Sequence, residues 1–213
     1  MARRERLNAT LNHAMADNAM KQYETTRRFL WTLILVIGGV LYAGAQDFAI
    51  RTNALGWATT NLNMGAELRI ADRWTGGLNL SYNPWTFNDN KKWKHIHVSP
   101  EARYWLCAAF AGHYVGANLL YAHYNAGNIR VPFGLAPDLR TERHQGDLWG
   151  AGLFYGYSWM LSNRWNLEAE VGLGYVYARY KRYDCAKCGS YKGPDNRHML
   201  APTKAAINLV YLF

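Results

Sequence analysis

His95, His97, Ser99 and Glu101 alternate in the stretch HIHVSPEAR. Residues two apart on an extended strand project to the same face, so a base, a hydroxyl and a carboxylate come close together there. Such groups are the ingredients of nucleophilic catalysis. A second set is Cys185 and Cys188 in YDCAKCG, with Cys107 the only other cysteine. Their spacing suits a redox pair or half a zinc site, but tetrahedral zinc needs four ligands and no second close pair exists. His198, in the same loop, and His123 or His144 would have to complete it. A local disulfide between Cys185 and Cys188 that stiffens a loop is the simpler expectation, and no metal or cofactor is expected. A third set pairs carboxylates with cations at alternate positions: Glu67, Glu101, Glu168 and Glu170 with Arg51, Arg69, Arg103 and Lys204. Buried charges persist by pairing, so a closed ion-pair network is expected, with a pore or proton path as its rival. Finally, Lys91, Lys92 and Lys94 interleave with Trp85, Phe87 and Trp93, a pattern able to hold phosphates or a protein partner.

Strands must position these groups. From Asp47 onward the hydropathy period is two, and turn signals recur at regular intervals. The alternation predicts strands over about 48–58, 61–71, 74–84, 95–106, 112–124, 147–161, 164–179 and 203–213. Tight turns fall at Ala71-Asp72-Arg73 and Ser162-Asn163-Arg164, with a short link at 107–111, while longer polar loops fall at about 85–94, 125–146 and 180–202. Short connections on one rim and long ones on the other are expected of an up-and-down transmembrane barrel.

The two faces of these strands differ. One carries Leu62, Met64, Leu68 and Ile70, then Leu153, Tyr155, Tyr157 and Trp159, then Val171, Leu173, Tyr175 and Tyr177. The other carries Asn63, Asn79, Asn118, Asn208 and the carboxylates and cations of the third set. Alternation alone also fits a soluble sandwich. The broad, aromatic-tipped apolar face and the mixture of glycine with opposite charges on the polar face favour a barrel with its greasy side outward. A closed barrel leaves no backbone group unpaired in lipid. The expectation is therefore an all-β, eight-stranded antiparallel transmembrane β-barrel.

The long apolar run FLWTLILVIGGVLYAGAQ follows Arg27 and Arg28 and ends on Ala43-Gly44-Ala45. A positive flank, a dozen or so apolar residues and an A-x-A end predict a secretory signal peptide over 1–45, with Met20 an alternative start and the barrel over 46–213. The rival, a short membrane anchor, fits the Gly38-Gly39 pair and the small residues poorly. The removed segment holds six basic and three acidic residues, so +6 of the +9 net charge remains. That charge does not indicate nucleic acid, because no basic cluster gathers on one face among stacking aromatics. The expected localisation is the outer membrane.

Several segments carry a family resemblance: NPWTFNDNKKWKH, PEARYWLC, YNAGNI, GYSWMLSNRWNLEAEVGLGY and APTKAAINLVYLF. Over about Asp47 to Phe213 the chain resembles a family of uncharacterised small outer-membrane barrels of Gram-negative bacteria, known only as a domain of unknown function. Its members often accompany fimbrial or OmpA-like surface proteins, and the architecture is similar to OmpA/OmpX-type barrels. The resemblance implies outer-membrane lipid and lipopolysaccharide as surroundings and fimbrial or OmpA-like surface proteins as partners. An alternating last strand ending in Phe also resembles the assembly signal of such barrels. By that resemblance, Ile207, Leu209, Tyr211 and Phe213 are read by the barrel-insertion machinery. The His97-x-Ser99 spacing matches the H-x-S pair of outer-membrane lipid A deacylases, with Glu101 as a third group. That match is two residues long, and in this frame it points into the lumen, away from lipid. The expected function is non-enzymatic: a structural or interaction platform with basic and aromatic loops, serving a fimbria-like assembly. A lipid A-modifying enzyme and a small channel are the alternatives.

Overall fold

The computed structural model of this chain describes residues 24, 27, 47–88, 91–131, 136–184 and 189–213. The chain divides into Met1–Ala45 and Gln46–Phe213. Apart from residues 24 and 27 the expected signal peptide lies outside the described residues; the barrel is the second unit.

Eight strands succeed one another: β1 (Phe48–Asn53), β2 (Leu62–Ala71), β3 (Trp74–Asn83), β4 (Lys92–Trp105), β5 (Gly112–Gly127), β6 (Arg143–Met160), β7 (Trp165–Tyr183) and β8 (Tyr191–Leu212). Each pairs antiparallel with its neighbour in sequence, and β1 pairs with β8, which closes an up-and-down barrel. The closing seam runs from Ala49 opposite Leu212 to Asn53 opposite Asn208. The Phe213 N–H continues it by donating to the Phe48 carbonyl at 3.0 Å. The short connections at 72–73, 106–111 and 161–164 share one rim with the start of β1 and the end of β8; the other connections share the opposite rim.

Alternation sorts the side chains as their chemistry requires. On β7, Asn166, Glu168 and Glu170 point inward and are buried, while Val171, Leu173 and Tyr175 are exposed on the outer face. The outer face is banded. At the short-turn rim Trp74 lies 5.1 Å from Tyr104, and Trp165 5.0 Å from Tyr211. Aliphatic residues such as Leu80, Leu153 and Leu173 fill the middle. A second aromatic row lies toward the long connections, where Tyr121, Trp149 and Tyr177 stand 5.9 and 6.0 Å apart in succession.

Three boundaries differ from the periodicity. β1 stops at Asn53, not near 58, because the Asn53 side chain accepts the Leu55 N–H at 3.0 Å and caps a one-turn helix, α1 (Ala54–Ala58). Leu55 and Trp57 kept the apolar alternation running through that helix. β7 reaches Tyr183 and β8 begins at Tyr191, so the expected loop at 180–202 shrinks to 184–190. Likewise the loop at 125–146 shrinks to 128–142, which includes a 3-10 helix at Pro137–Arg140. These strand ends mix polar residues into both faces, which weakens the period-two signal. Pro194 and Pro202 also argue against a strand by sequence. They are tolerated because β1 pairs with β8 only from Asn208 onward, and Pro202 adjoins a bulge in the β7–β8 register.

Candidate functional site

Seven charged side chains from five strands meet inside the barrel. Arg51 on β1 donates to Glu67 on β2 at 2.7 Å and to Glu101 on β4 at 2.5 Å. Arg103, two residues along β4, donates to Glu101 at 2.8 Å, Glu168 at 2.9 Å and Glu170 at 3.0 Å. Lys204 on β8 pairs with Glu101 and, at 3.4 Å, with Glu170. Lys204 keeps slight exposure; the other six are buried, Arg103 and Glu168 wholly so. Four carboxylates therefore face three cations. Neutral donors add to the set: Asn79 gives an N–H to Glu101 at 2.8 Å, Asn208 to Glu170 at 2.9 Å, and Thr75 its hydroxyl to Glu67. Shared hydrogen bonds of this kind are what make buried charge tolerable. Space for the network comes from glycine: a Cβ on Gly77 would stand 2.5 Å from the Arg51 guanidinium and 3.1 Å from the Ala66 carbonyl oxygen.

Toward the short-turn rim the lumen is stopped by aromatic rings. Trp105 and Tyr114 lie 4.5 Å apart, Phe110 packs 5.9 Å from Trp105, and Phe154 meets Tyr114 edge-on. Val210 and Leu212 complete this apolar cluster. Phe110 adopts φ 65°, unusual for a bulky residue. Its ring is buried and its carbonyl accepts the Asn166 side-chain amide at 2.7 Å, contacts that hold the conformation. Lys204 Nζ sits 3.9 Å from the centroid of the Phe154 ring, so the charges rest on the rings.

The expected lumen network assembles with one exception. Arg69 pairs with Asp47 at 3.0 Å in a partly exposed position, because it lies two residues beyond Glu67 toward the short-turn rim and cannot reach the central carboxylates. His95, His97, Ser99 and Glu101 do share the inner face, yet they are not linked as a triad. Ser99 donates to the Leu119 carbonyl at 2.7 Å and accepts from Asn118 at 3.3 Å, His95 stands 3.4 Å from the Ser81 hydroxyl, and Glu101 is taken up by the cations. Among the described residues no hydrogen bond joins His97 to Ser99. Cys185 and Cys188 lie outside the described residues; Cys107 is exposed at the short-turn rim. Of the loop candidates, Trp85 donates its indole N–H to the Thr60 carbonyl at 3.1 Å, and Trp93 packs against His95 at 5.7 Å. Lys91 precedes β4, and Lys92 and Lys94 lie on its first residues. Ile207, Leu209 and Phe213 line the outer face of β8, and the Tyr211 hydroxyl accepts from Arg164 at 3.1 Å.

Sequence reasoning missed two groups. The aromatic stop was one, although Trp105, Tyr114 and Phe154 stand in the polar phase of their strands, out of step with the outward rings. The other is an ion cluster at the long-connection rim, centred on Glu142. Arg182 donates to both its oxygens at 2.8 and 2.9 Å and Lys192 to one at 3.0 Å; Lys192 also pairs with Asp184 at 2.6 Å. The hydrogen bonds from Arg182 hold the Glu142 carboxyl down at about 2. These residues sit in segments read as loop, so nothing in the sequence brought them together.

No curated protein and no solved structure matches this chain. Residues 30–213 match the family described as protein of unknown function (DUF3575), a span that takes in every strand of the barrel. The chain belongs to the DUF3575 family.

Proposed function

We propose that this chain is an outer-membrane barrel with a closed lumen, which works as a non-enzymatic platform for envelope partners through its long-connection rim. The observation that carries the reading is the inversion of exposure: Leu153, Leu173 and Leu200 are 72%, 68% and 79% exposed, whereas Arg103 is 0% exposed. A water-facing protein of this size would not leave so broad an aliphatic band uncovered. From Trp165 to Tyr175 on a tilted strand the band rises roughly 25 Å, the height of the apolar belt of such barrels. The rings at both ends fit membrane interfaces.

The rim that would face outward carries the basic and aromatic residues Trp85, Lys91, Lys92, Trp93 and Lys94 and the tall β7–β8 hairpin. Lipopolysaccharide phosphates, or a fimbrial or OmpA-like surface assembly, are the partners such a rim suits. The other rim presents Tyr211 and Phe213 to the barrel-insertion machinery. The ring stop and the charge layer both argue against conduction. The test is fractionation of Gram-negative cells expressing the protein. Retention in outer membrane after an alkaline wash, heat-modifiable mobility and no steady current in planar bilayers are expected. Release by plain buffer as a soluble species, or a stable current, overturns the reading.

A further inference from the structure

Between the charge layer and the long-connection rim, the inner phase of β5–β8 changes character. In place of Glu it presents Leu120, Ala122, Val176, Ala178 and Met199, with Tyr124, His144, Tyr180 and Arg197 farther toward the rim, and Leu139 of the 3-10 helix is buried. Small and aliphatic side chains leave a cavity of about 370 Å³. That volume lies within the range of small-molecule sites, and an eight-stranded barrel has room for one small ligand. The wall of this cavity is mostly apolar toward its inner end; the aromatic stop at the opposite end of the barrel fills the same width with rings.

Its inner end carries few polar groups. His97 and Thr203 line both this cavity and the polar recess beside the charge layer, so they mark that end. Thr203 is the additional residue of the β8 bulge, between Lys204 opposite Gly172 and Pro202 opposite Leu173. In this structure its hydroxyl is turned against Gly152, beside the Asn118 side-chain oxygen of the adjoining recess, and neither oxygen has a hydrogen-bond partner among the described residues. An unpartnered buried hydroxyl is a group awaiting a partner. The cationic side chains on the cavity, Lys94 and Arg197, belong to its outer end, nearer the long-connection rim along their strands than His97 and Thr203. Among the described residues no carboxylate lines the cavity. Just beneath lie four carboxylates against three cations, a balance that does not welcome another anion, while the apolar walls disfavour a cation.

We propose that the cavity binds one small uncharged amphiphile: an apolar body along Leu120, Val176, Ala178 and Met199, and a single hydroxyl-type head at the inner end beside His97, where the Thr203 hydroxyl turns from Gly152 to bond it. The cavity itself does not depend on where the barrel resides, but its test rests on the membrane reading, whose own failure would show separately as a protein that does not enter nanodiscs. Methionine supplies the readout, since Met199 lines the cavity while Met64 and Met160 are exposed on the outer face. Purified protein in lipid nanodiscs, labelled with ¹³C-methyl methionine, is titrated with 1-decanol, decanoate and decyltrimethylammonium. With decanol the Met199 signal shifts and saturates, while Met64 and Met160 drift in proportion to the amount dissolved in lipid. The two ions require at least about tenfold more to produce the same Met199 shift. Thr203→Val raises the half-saturation concentration several-fold, and Ala178→Leu removes the response while heat-modifiable mobility persists. Ala122→Leu fills the same space should Ala178→Leu fail to fold. A Met199 signal that only follows Met64 and Met160, an ion that saturates as readily as decanol, a Thr203→Val protein that saturates like the parent, or a filled cavity that responds unchanged, overturns the proposal.

Discussion

The guanidinium carbon of Arg103 lies 4.7 Å from the centroid of the Tyr114 ring, while its nitrogens reach Glu101, Glu168 and Glu170. One side chain therefore joins the charge layer to the aromatic stop beneath it. Removing a member of a buried ion cluster strands the partners in a low-dielectric interior, whereas a rim pair is screened by water. Arg103→Gln is expected to lower unfolding stability by about 3–5 kcal/mol. Arg69→Gln, which breaks only the half-exposed pair with Asp47, should cost less than about 1 kcal/mol. Urea unfolding followed by the loss of heat-modifiable mobility compares them, and equal costs would contradict the separation of Arg69 from the network.

The rim cluster predicts a pH response with a definite sign. Glu142 titrates at about 2 in the folded protein, below the ordinary carboxylate range. A depressed carboxylate stabilises the fold fully above its unfolded value, near 4.3, and that contribution fades as pH falls through the folded value. Protection of the β7–β8 hairpin against amide hydrogen exchange should hold at pH 5 and fall between about pH 4 and pH 2. In Glu142→Gln the hairpin exchanges faster at pH 5, and its protection no longer changes across that window through this group. Carboxyl ¹³C shifts of Glu142 report the titration directly.

Strand identity and closure were legible because one inner and one outer face run through nearly every strand. Val171 to Tyr177 on β7 and Tyr155 to Trp159 on β6 are plain examples. The central charges were legible for the same reason, since Glu101 and Arg103 hold the inner phase. Legibility failed where periodicity stopped carrying burial. Leu55 and Trp57 imitate a strand inside a capped turn. The residues of Tyr191–His198 form a strand without an apolar face because they rise past the aliphatic band. Thr203 escaped because a bulge shifts the phase of β8 by one residue, and an unbroken alternation cannot signal that. The pairing of Glu142 with Arg182 spans 40 positions and depends on the height of the wall, which no local pattern encodes.

The lumen has two barriers in series, which predicts how conduction changes with mutation. Trp105 is wholly buried and donates its indole N–H to Thr75 at 2.9 Å. Trp105→Ala should cost about 3–5 kcal/mol and yet pass no steady current, because the charge layer still crosses the lumen. Trp105→Ala combined with Arg103→Ala takes out the ring stop and the central guanidinium of the charge layer together and should give resolvable current steps in planar bilayers. A current from the single variant would show that the ring stop alone closes the barrel.

The outer face offers the sharpest contrast by position. Leu173 stands in the middle of the aliphatic band, whereas Asn196, also outward, lies past the aromatic row formed by Trp149 and Tyr177. A charge costs most where hydrocarbon is deepest and little where water reaches. Leu173→Arg is therefore expected to lose about 2–4 kcal/mol in refolding into phospholipid vesicles, and Asn196→Arg less than about 1 kcal/mol. The same two substitutions in a water-soluble barrel would cost little, since both side chains would already face solvent. Denaturant titration in vesicles separates the cases: a Leu173→Arg protein as stable as the parent would mean that no hydrocarbon covers that band.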